Sequence, residues 1–266
     1  MEKIKQKLHS FGRQICISGV ILIAILATGQ VLEAKSLDPD ADKILQAMSA
    51  YVGSLAAFSV NIDIDNEIIS GDGQKIQLSS FETVVMERPG NFHVHRKGMF
   101  GELTLLFDGK TLTVYGKTLN AYVQREVTGT TDDAIRVLEI ETGLNVPGAD
   151  LMFSDPYAIL SNGLESSVYI GIAYVNGIEC HHLAFRKAKV DWQLWVQAGD
   201  EPFPMKYVIT SKWATGAPQY EVRLRDWNPK PLINAGQFSF LVPNGARKLE
   251  AIPVNEMGEI TQEGGK

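Results

Sequence analysis

Hydrophobic and polar residues alternate with a period of two over most of the chain after Phe58. Ile62, Ile64 and Ile68 alternate with acidic or amide side chains, and a similar run later in the chain contains Tyr220 and Leu224. This period is typical of strands that have one buried side and one solvent-facing side. Turn-forming pairs such as Asp-Gly and Asn-Gly separate about ten segments of this kind. The pattern predicts a mainly β protein of the α+β class with an antiparallel sheet.

Three shorter stretches carry the helical period instead. Asp38 and Pro39 supply an N-cap and a first-turn residue for a helix whose apolar stripe runs to Leu55. A second helix is predicted to begin within residues 130–133, and a third, short one at residues 155–156. Helices with apolar stripes need an apolar surface to cover. We therefore predict that they cover the concave face of a curved sheet, an unclosed antiparallel β-barrel.

Two predicted hairpins set the register of their strands. A two-residue loop at Asp108-Gly109 places Leu105 opposite Leu112, and one at Asn176-Gly177 places Ile170 opposite Leu183 and Ile172 opposite His181. Each hairpin then has one apolar face, which a slip of one residue would invert. The predicted apolar lining of a ligand site consists of Leu103, Leu105, Leu112, Val114, Val168, Ile170, Ile172, Leu183 and Phe185.

The first residues of the chain differ from the rest. Lys3, Lys5, Lys7 and Arg13 precede an uncharged apolar run at residues 15–28. A basic segment before a short apolar stretch is typical of a secretory signal, and this run is shorter than the ~20 residues that cross a bilayer. We predict a cleaved signal peptide and a periplasmic protein that is soluble after export; an uncleaved membrane anchor is the alternative. The predicted organisation is a signal peptide at 1–34, one half-barrel domain at 35–244 and a flexible tail at 245–266.

The net charge limits the possible binding partners, and the cysteine content limits the possible disulfides. Removal of residues 1–34 takes away four basic and two acidic residues, so the net charge changes from −6 to −8. Nucleic acids and anionic membranes bind basic protein surfaces, and an acidic domain lacks such a surface. The only cysteine that remains is Cys180, so an intrachain disulfide is excluded and the fold depends on its hydrophobic core.

One group of residues suggests metal or nucleophile chemistry. His93 and His95 form one alternate pair on a predicted strand, and Cys180 and His182 form another. The four would make a zinc or copper site if the two strands were neighbours. As a nucleophile, Cys180 would lie about 7 Å from His182 along the strand, too far for direct contact. The alternative is a buried free cysteine with hydrogen-bonded histidines, and it predicts no metal, no cofactor and no enzymatic activity.

The second half of the chain resembles a known bacterial family. The residues that carry the resemblance are Ser154-Asp155-Pro156-Tyr157, Cys180 to Phe185 (CHHLAF), Asp191 to Trp195 (DWQLW), Pro218-Gln219-Tyr220 and Asp226-Trp227. These strings are similar to those of the predicted periplasmic proteins called domain of unknown function 2092. That family resembles the lipoprotein-localisation-factor superfamily. The resemblance implies an unclosed β-barrel covered by helices and a periplasmic location, and it implies no activity.

Three functional hypotheses follow. The first is a non-enzymatic periplasmic protein that binds or carries a lipid, a lipoprotein or another apolar ligand on the concave face. The second is a protein-interaction or regulatory module with an envelope protein as its partner. The third is a metalloprotein or enzyme centred on Cys180, His181 and His182.

Overall fold

The structure is a computed structural model that describes residues 36–142, 144, 146 and 148–254. The predicted signal peptide, residues 1–34, lies outside this range. The helices are α1 (Pro39–Ser54), α2 (Thr131–Thr142), a 3₁₀ helix (Ala149–Leu151) and α3 (Pro156–Ser161). Across the described residues, none of the helices has the length and apolar character needed to cross a membrane.

Twelve strands form one sheet. They are β1 (Ala57–Ile69), β2 (Lys75–Glu87), β3 (Asn91–Gly98), β4 (Gly101–Asp108), β5 (Thr111–Gly116), β6 (Ala121–Glu126), β7 (Ser166–Val175), β8 (Ile178–Arg186), β9 (Val190–Gln197), β10 (Pro204–Ser211), β11 (Gln219–Asn228) and β12 (Arg247–Lys248). Their order is β12-β6-β5-β4-β3-β2-β1-β11-β10-β9-β8-β7, and every pair is antiparallel except β12–β6. Because β12 and β7 are the two edges, the sheet stays open. The predicted unclosed antiparallel sheet is confirmed.

Helix α1 begins and ends where its sequence predicts. The Asp38 carboxylate accepts hydrogen bonds from the backbone N–H groups of Asp40 and Ala41, at 2.9 and 3.3 Å, and Pro39 occupies the first turn. Within the apolar stripe of α1, Leu45, Met48 and Val52 are fully buried. The helix contacts β7, β8 and β9 and thus covers one end of the sheet.

Aromatic side chains fill the space under α1. The rings of Phe185 on β8 and Trp192 on β9 are stacked with centroids 3.9 Å apart, and Tyr207 on β10 meets Trp192 edge-on at 5.7 Å. Leu183 and Leu194 complete this layer and are fully buried. Such closely packed rings contribute dispersion as well as apolar burial, so this region forms a dense core.

The β4–β5 hairpin keeps its predicted face but not its predicted register. Leu105 lies opposite Val114, and Phe107 lies opposite Leu112, so the predicted pairing of Leu105 with Leu112 is wrong by two residues. The cause is the Asp108 side chain, which accepts hydrogen bonds from the N–H groups of Lys110 and Thr111 and widens the loop. A shift of two residues leaves the apolar face on the same side of the sheet.

The β7–β8 hairpin follows its predicted register only near the turn. Ile172 pairs with His181 as predicted, but Tyr169 takes the place opposite Leu183 that was predicted for Ile170. The register shifts between Tyr169 and Gly171, where Gly171 adopts a positive φ of 132°. An extra residue in one strand of an antiparallel pair is a β-bulge, and a glycine accommodates its backbone conformation.

Segments outside the central strands border both edges of the sheet. On β7, the backbone N–H of Ser167 donates to the carbonyl of Ser36 at 3.1 Å, and the N–H of Tyr169 donates to the Asp38 carboxylate at 2.9 Å. At the other edge, β12 pairs with β6, and Ile252 beyond it is 7% exposed. Residues 255–266 of the predicted tail lie outside the described range.

Candidate functional site

A cavity of about 50 Å³ lies between the concave face of β2–β4 and the segment that contains α2 and the 3₁₀ helix. We call this cavity the chamber. Its lining consists of Glu82, Val84, Met86, Phe92, Val94, Arg96, Leu105, Ile135, Leu138, Val146, Gly148, Ala149 and Met152. All of these residues except Glu82 and Arg96 are apolar. The chamber is therefore an apolar space whose wall carries one pair of opposite charges.

Two further cavities adjoin the chamber. The polar cavity, of about 370 Å³, shares Val146 and Gly148 with it, and the rim cavity, of about 20 Å³, shares Arg96. The polar cavity is lined by Asn66, Glu67, Glu139, Leu144, Val146, Gly148, Asp150, Ile209, Ser211, Pro218, Gln219 and Tyr220. The rim cavity is lined by Arg96, Gly98, Phe100, Gly101, Glu102, Leu103, Gly116, Thr118 and Leu119. The chamber thus lies between a more polar space and the β3–β4 turn.

Glu82 and Arg96 lie directly opposite each other on β2 and β3. The guanidinium Nε of Arg96 donates a hydrogen bond to Oε1 of Glu82. The side chain of Arg96 is 5% exposed and that of Glu82 is 6% exposed. Removal of such charges from water costs several kcal/mol per ion, which their mutual attraction must offset. The pair therefore carries a desolvation cost on an otherwise apolar face.

Arg88, which directly follows β2, hydrogen-bonds to backbone carbonyls at the ends of two helices. Its Nη1 donates to the carbonyls of Val52 and Leu55 at 3.2 and 3.3 Å, at the C-terminal end of α1. Its Nη2 donates to the carbonyls of Met152 and Phe153 at 2.7 and 2.9 Å, just after the 3₁₀ helix. Burial lowers the pKa of Arg88, yet a guanidinium stays charged and suits the negative ends of two helices. One side chain thus joins the cover of the chamber to α1.

Two carboxyl groups of the polar cavity, those of Asp150 and Glu139, have raised pKa values. Burial raises the pKa of Asp150, against the opposing effect of the positive charge of Lys187. Burial also raises the pKa of Glu139, and the neighbouring charge of Asp150 adds to that rise. The hydroxyl of the buried Tyr207 donates to Oδ2 of Asp150 at 3.5 Å. This cavity consequently becomes more negative as the pH rises.

The predicted lining residues fall into two groups. Six of them are buried in the main core: Leu103, Leu105, Leu112, Val114, Leu183 and Phe185. Among these, Leu105 lines the chamber and Leu103 lines the rim cavity. Val168, Ile170 and Ile172 lie on the edge strand β7, where 49%, 55% and 50% of their surfaces are exposed. The structure does not bring the β7 residues to the chamber.

The four candidate metal ligands lie far apart. His93 and His95 are on β3, Cys180 and His182 are on β8, and five strands separate the two. At about 4.8 Å per strand, the two pairs lie roughly 29 Å apart along the curved sheet. The His182 ring stacks on Trp195 at 4.1 Å, and burial raises the pKa of the Cys180 thiol. The described part of the chain contains no group of three or more His, Cys, Asp or Glu side chains arranged to hold a metal ion.

Sequence reasoning missed the charged pair in the chamber, although the sequence carries a signal for it. On β2, Glu82 falls at the same alternate positions as the buried Val84 and Met86, and on β3, Arg96 follows Phe92 and Val94. Two charges of opposite sign, one at an apolar position of each of two adjacent strands, predict a buried cross-strand ion pair.

Comparisons with solved structures found several distant similarities. Among solved structures, LprF from Mycobacterium bovis is 15% identical, with 79% of this chain and 99% of that chain covered and a TM-score of 0.45. MucB is 13% identical, with 76% of this chain and 63% of that chain covered and a TM-score of 0.45. LppX from Mycobacterium tuberculosis is 10% identical, with 74% of this chain and 100% of that chain covered and a TM-score of 0.38. No curated protein matches the sequence.

The family comparison covers most of the chain. The family model described as predicted periplasmic protein, domain of unknown function 2092, matches residues 41–252, which include both the chamber and the sheet edges. The protein therefore belongs to this family of predicted periplasmic proteins.

Proposed function

We propose that the protein is a non-enzymatic periplasmic protein, exported by its N-terminal segment, that holds an apolar ligand in the chamber. The observation that carries the proposal is the apolar lining, to which both the sheet and the helical cover contribute. An apolar cavity of this kind gives water few hydrogen-bonding partners, so it favours hydrocarbon as its occupant. Each buried methylene group contributes roughly 0.8 kcal/mol to binding.

The size of the chamber implies that its cover moves when a ligand enters. A volume of about 50 Å³ is well below the 300–1,000 Å³ of typical ligand pockets. Ile135, Leu138, Ala149 and Met152 form the helical side of the lining, so an outward shift of α2 and the 3₁₀ helix enlarges it.

Native mass spectrometry with solvent extraction tests this proposal on protein purified from its own periplasm without detergent. We expect an extra mass that extracts as lipid. The Val94→Phe variant fills the chamber and should lack that mass, whereas Val168→Phe makes the same exchange on the exposed edge strand and should retain it. A ligand-free wild-type protein, or a ligand that persists in Val94→Phe, would contradict the proposal.

The edge strand β7 supports a second candidate function, a protein-interaction module of the cell envelope. Val168, Ile170, Ile172 and Tyr174 expose about half or more of their surfaces along one strand edge. Exposed apolar strand edges pair readily with another chain. Photo-crosslinking from position 172 tests this candidate, with Ile140 on α2, an isoleucine that is 81% exposed, as the control position. A defined envelope protein crosslinked from position 172 alone, with a ligand-free chamber, would favour it.

A further inference from the structure

The two edges of the sheet are protected to different extents. At one edge, β12 contains only Arg247 and Lys248, and short charged edge strands resist pairing with another chain. At the other edge, β7 is ten residues long and has no charged side chain. A long, uncharged edge strand pairs readily unless another segment covers it. The features that favour association between chains are therefore concentrated on β7.

The segment before α1 covers only the first half of β7. The backbone N–H of Ser167 donates to the carbonyl of Ser36 at 3.1 Å, and the N–H of Tyr169 donates to the Asp38 carboxylate at 2.9 Å. Beyond residue 169, β8 is the only strand that pairs with β7 in the described sheet. The open part of this edge is therefore the stretch 170–175.

The hairpin geometry determines which backbone groups of the open stretch point outward. Val175 pairs with Ile178 beside the two-residue loop, and residues that flank such a loop exchange hydrogen bonds with each other. Because hydrogen-bonded and non-hydrogen-bonded pairs alternate, the N–H and C=O groups of Ile172 and Tyr174 point away from β8. The side chains of these two residues are 50% and 68% exposed. The edge thus presents outward backbone groups together with exposed apolar side chains.

One register allows the open stretch to pair with itself. If a twofold axis passes through Ala173, Ile172 of each copy lies opposite Tyr174 of the other, and their outward backbone groups exchange hydrogen bonds. Ala173 then faces Ala173 of the second copy in a non-hydrogen-bonded pair, where side chains approach most closely and a small one fits. Pairs of an aromatic and a β-branched residue stabilise antiparallel sheets. The stretch is therefore self-complementary in its hydrogen bonds and in its side chains.

The same register ends the pairing where the covered half of β7 begins. Ile170 lies opposite Asn176 of the second copy, so the hairpin loop of that copy ends beside the position where Asp38 covers Tyr169. The paired stretch contains no charged side chain, so no like charges meet in it although both copies are acidic overall. An extended pairing along the whole strand is thereby excluded.

We propose that the protein forms a homodimer in which the stretch 170–175 of β7 pairs antiparallel with the same stretch of a second copy. The interface is isologous, so each copy uses its only open long edge and the assembly closes at two copies. This inference goes beyond the proposed function, because it is independent of what the chamber holds.

Sedimentation velocity of the exported protein, at concentrations from about 1 μM to 1 mM, measures the association. We expect a dissociation constant in the micromolar range, because so short a pairing lies at the small end of specific interfaces. Ile172→Lys places a charge opposite Tyr174 at both ends of the interface and should weaken the dimer at least tenfold. Ile140→Lys makes the same exchange at an exposed position of α2 and should dimerise as the wild type does.

Disulfide trapping tests the register. Ala173→Cys should give a covalent dimer on oxidation with diamide, because the Cα atoms of a non-hydrogen-bonded pair are about 4.5 Å apart, within the range that a disulfide spans. Ile170→Cys is the control, since this register places residue 170 about 20 Å from its counterpart. Both variants also carry Cys180→Ala, because Cys180 lies opposite Ala173 on β8 and would otherwise compete for the new thiol.

The outcomes separate the homodimer from other occupants of the edge. A wild type that stays monomeric at the highest concentration would overturn the inference, and so would open-ended oligomers. Equal dimerisation of Ile172→Lys and wild type, or equal crosslinking of Ile170→Cys and Ala173→Cys, would do the same. A monomeric wild type whose position 172 crosslinks to a different envelope protein would replace the second copy by that protein. None of these results changes the test of the apolar ligand in the chamber.

Discussion

The two ends of the concave face are packed in different ways. Under α1, stacked and edge-on rings such as Phe185, Trp192 and Tyr207 fill the space between helix and sheet. Under α2, the side chains from β2–β4 are mostly aliphatic, with Phe92 as the one aromatic ring in the lining, and they leave the chamber between sheet and cover. Both ends arise from the same alternating sequence pattern. The size of the inward side chains, and not their period, decides whether a sheet encloses a core or a binding space.

Among substitutions that leave a folded protein, the largest expected effect comes from the aromatic end. Trp192→Ala removes a ring that is 2% exposed and leaves a cavity beneath α1. We expect the free energy of unfolding to fall by about 3–5 kcal/mol, as measured by urea denaturation followed by circular dichroism. The folded fraction should still bind hexadecane with wild-type affinity. Loss of binding in that fraction would show that the two ends are not independent.

A slightly smaller effect is expected where the two ends meet. Arg88→Met leaves the carbonyls of Val52, Leu55, Met152 and Phe153 without their common donor. We expect a loss of about 3 kcal/mol in stability, since each unsatisfied buried carbonyl costs about 1–3 kcal/mol and water can reach some of them. Stopped-flow displacement should also show faster ligand release. Arg88→Lys keeps the charge and should restore only part of both properties, because an ammonium lacks the planar fork.

A pH-dependent effect distinguishes the polar cavity from the surface. The raised pKa of Asp150 means that the folded state binds its proton more tightly than the unfolded chain does. The resulting stabilisation is complete below about pH 4 and is lost as the pH rises through the raised pKa. Asp150→Asn should therefore gain stability relative to the wild type between acid and neutral pH, as thermal unfolding at several pH values will show.

Asp226 provides the control of opposite sign. Hydrogen bonds from Asn61 and then Arg225 lower the pKa of this exposed carboxyl, so its contribution is present at neutral pH and is lost on acidification. Asp226→Asn should consequently lose stability relative to the wild type as the pH rises from acid to neutral. The same trend in both variants would contradict the assignment of the raised pKa to Asp150.

The smallest effect is expected on the edge strand. Ile170→Lys changes a residue that is 55% exposed, so stability should stay within about 0.5 kcal/mol of the wild type and ligand binding should not change. Leu183→Lys, on the neighbouring strand, places a charge at a fully buried position and should prevent folding. A folded Ile170→Lys protein that lacks ligand would place part of the binding surface on β7.

The helices and the open sheet could be predicted because their signals are local. Asp38 and Pro39 mark the start of α1, and Asn176-Gly177 fixes the first pairs of the β7–β8 hairpin. The bulge near Ile170 was missed because alternation continues through it in the sequence. Gly171 within the strand was the available signal, since a glycine there often marks a bulge.

The chamber could be predicted only in part. Leu105 was assigned to a lining, but the contributions of Leu138 and Ala149 depend on where α2 and the 3₁₀ helix lie over the sheet. That placement follows from long-range contacts such as those of Arg88, which no local pattern reveals. Glu82 and Arg96 were overlooked because charged residues on strands are usually assigned to the solvent-facing side.

The bordered edges of the sheet have a practical consequence for work with fragments of the protein. Ser36 and Asp38 hydrogen-bond to β7, and Arg247 and Lys248 pair with β6. A version shortened to residues 41–244 would lose β12 and the segment that borders β7, and it would expose N–H and C=O groups at both edges of the remaining eleven-stranded sheet. Exposed ladders of this kind template fibrous association between molecules. Affinity tags therefore belong before residue 36 or after residue 254.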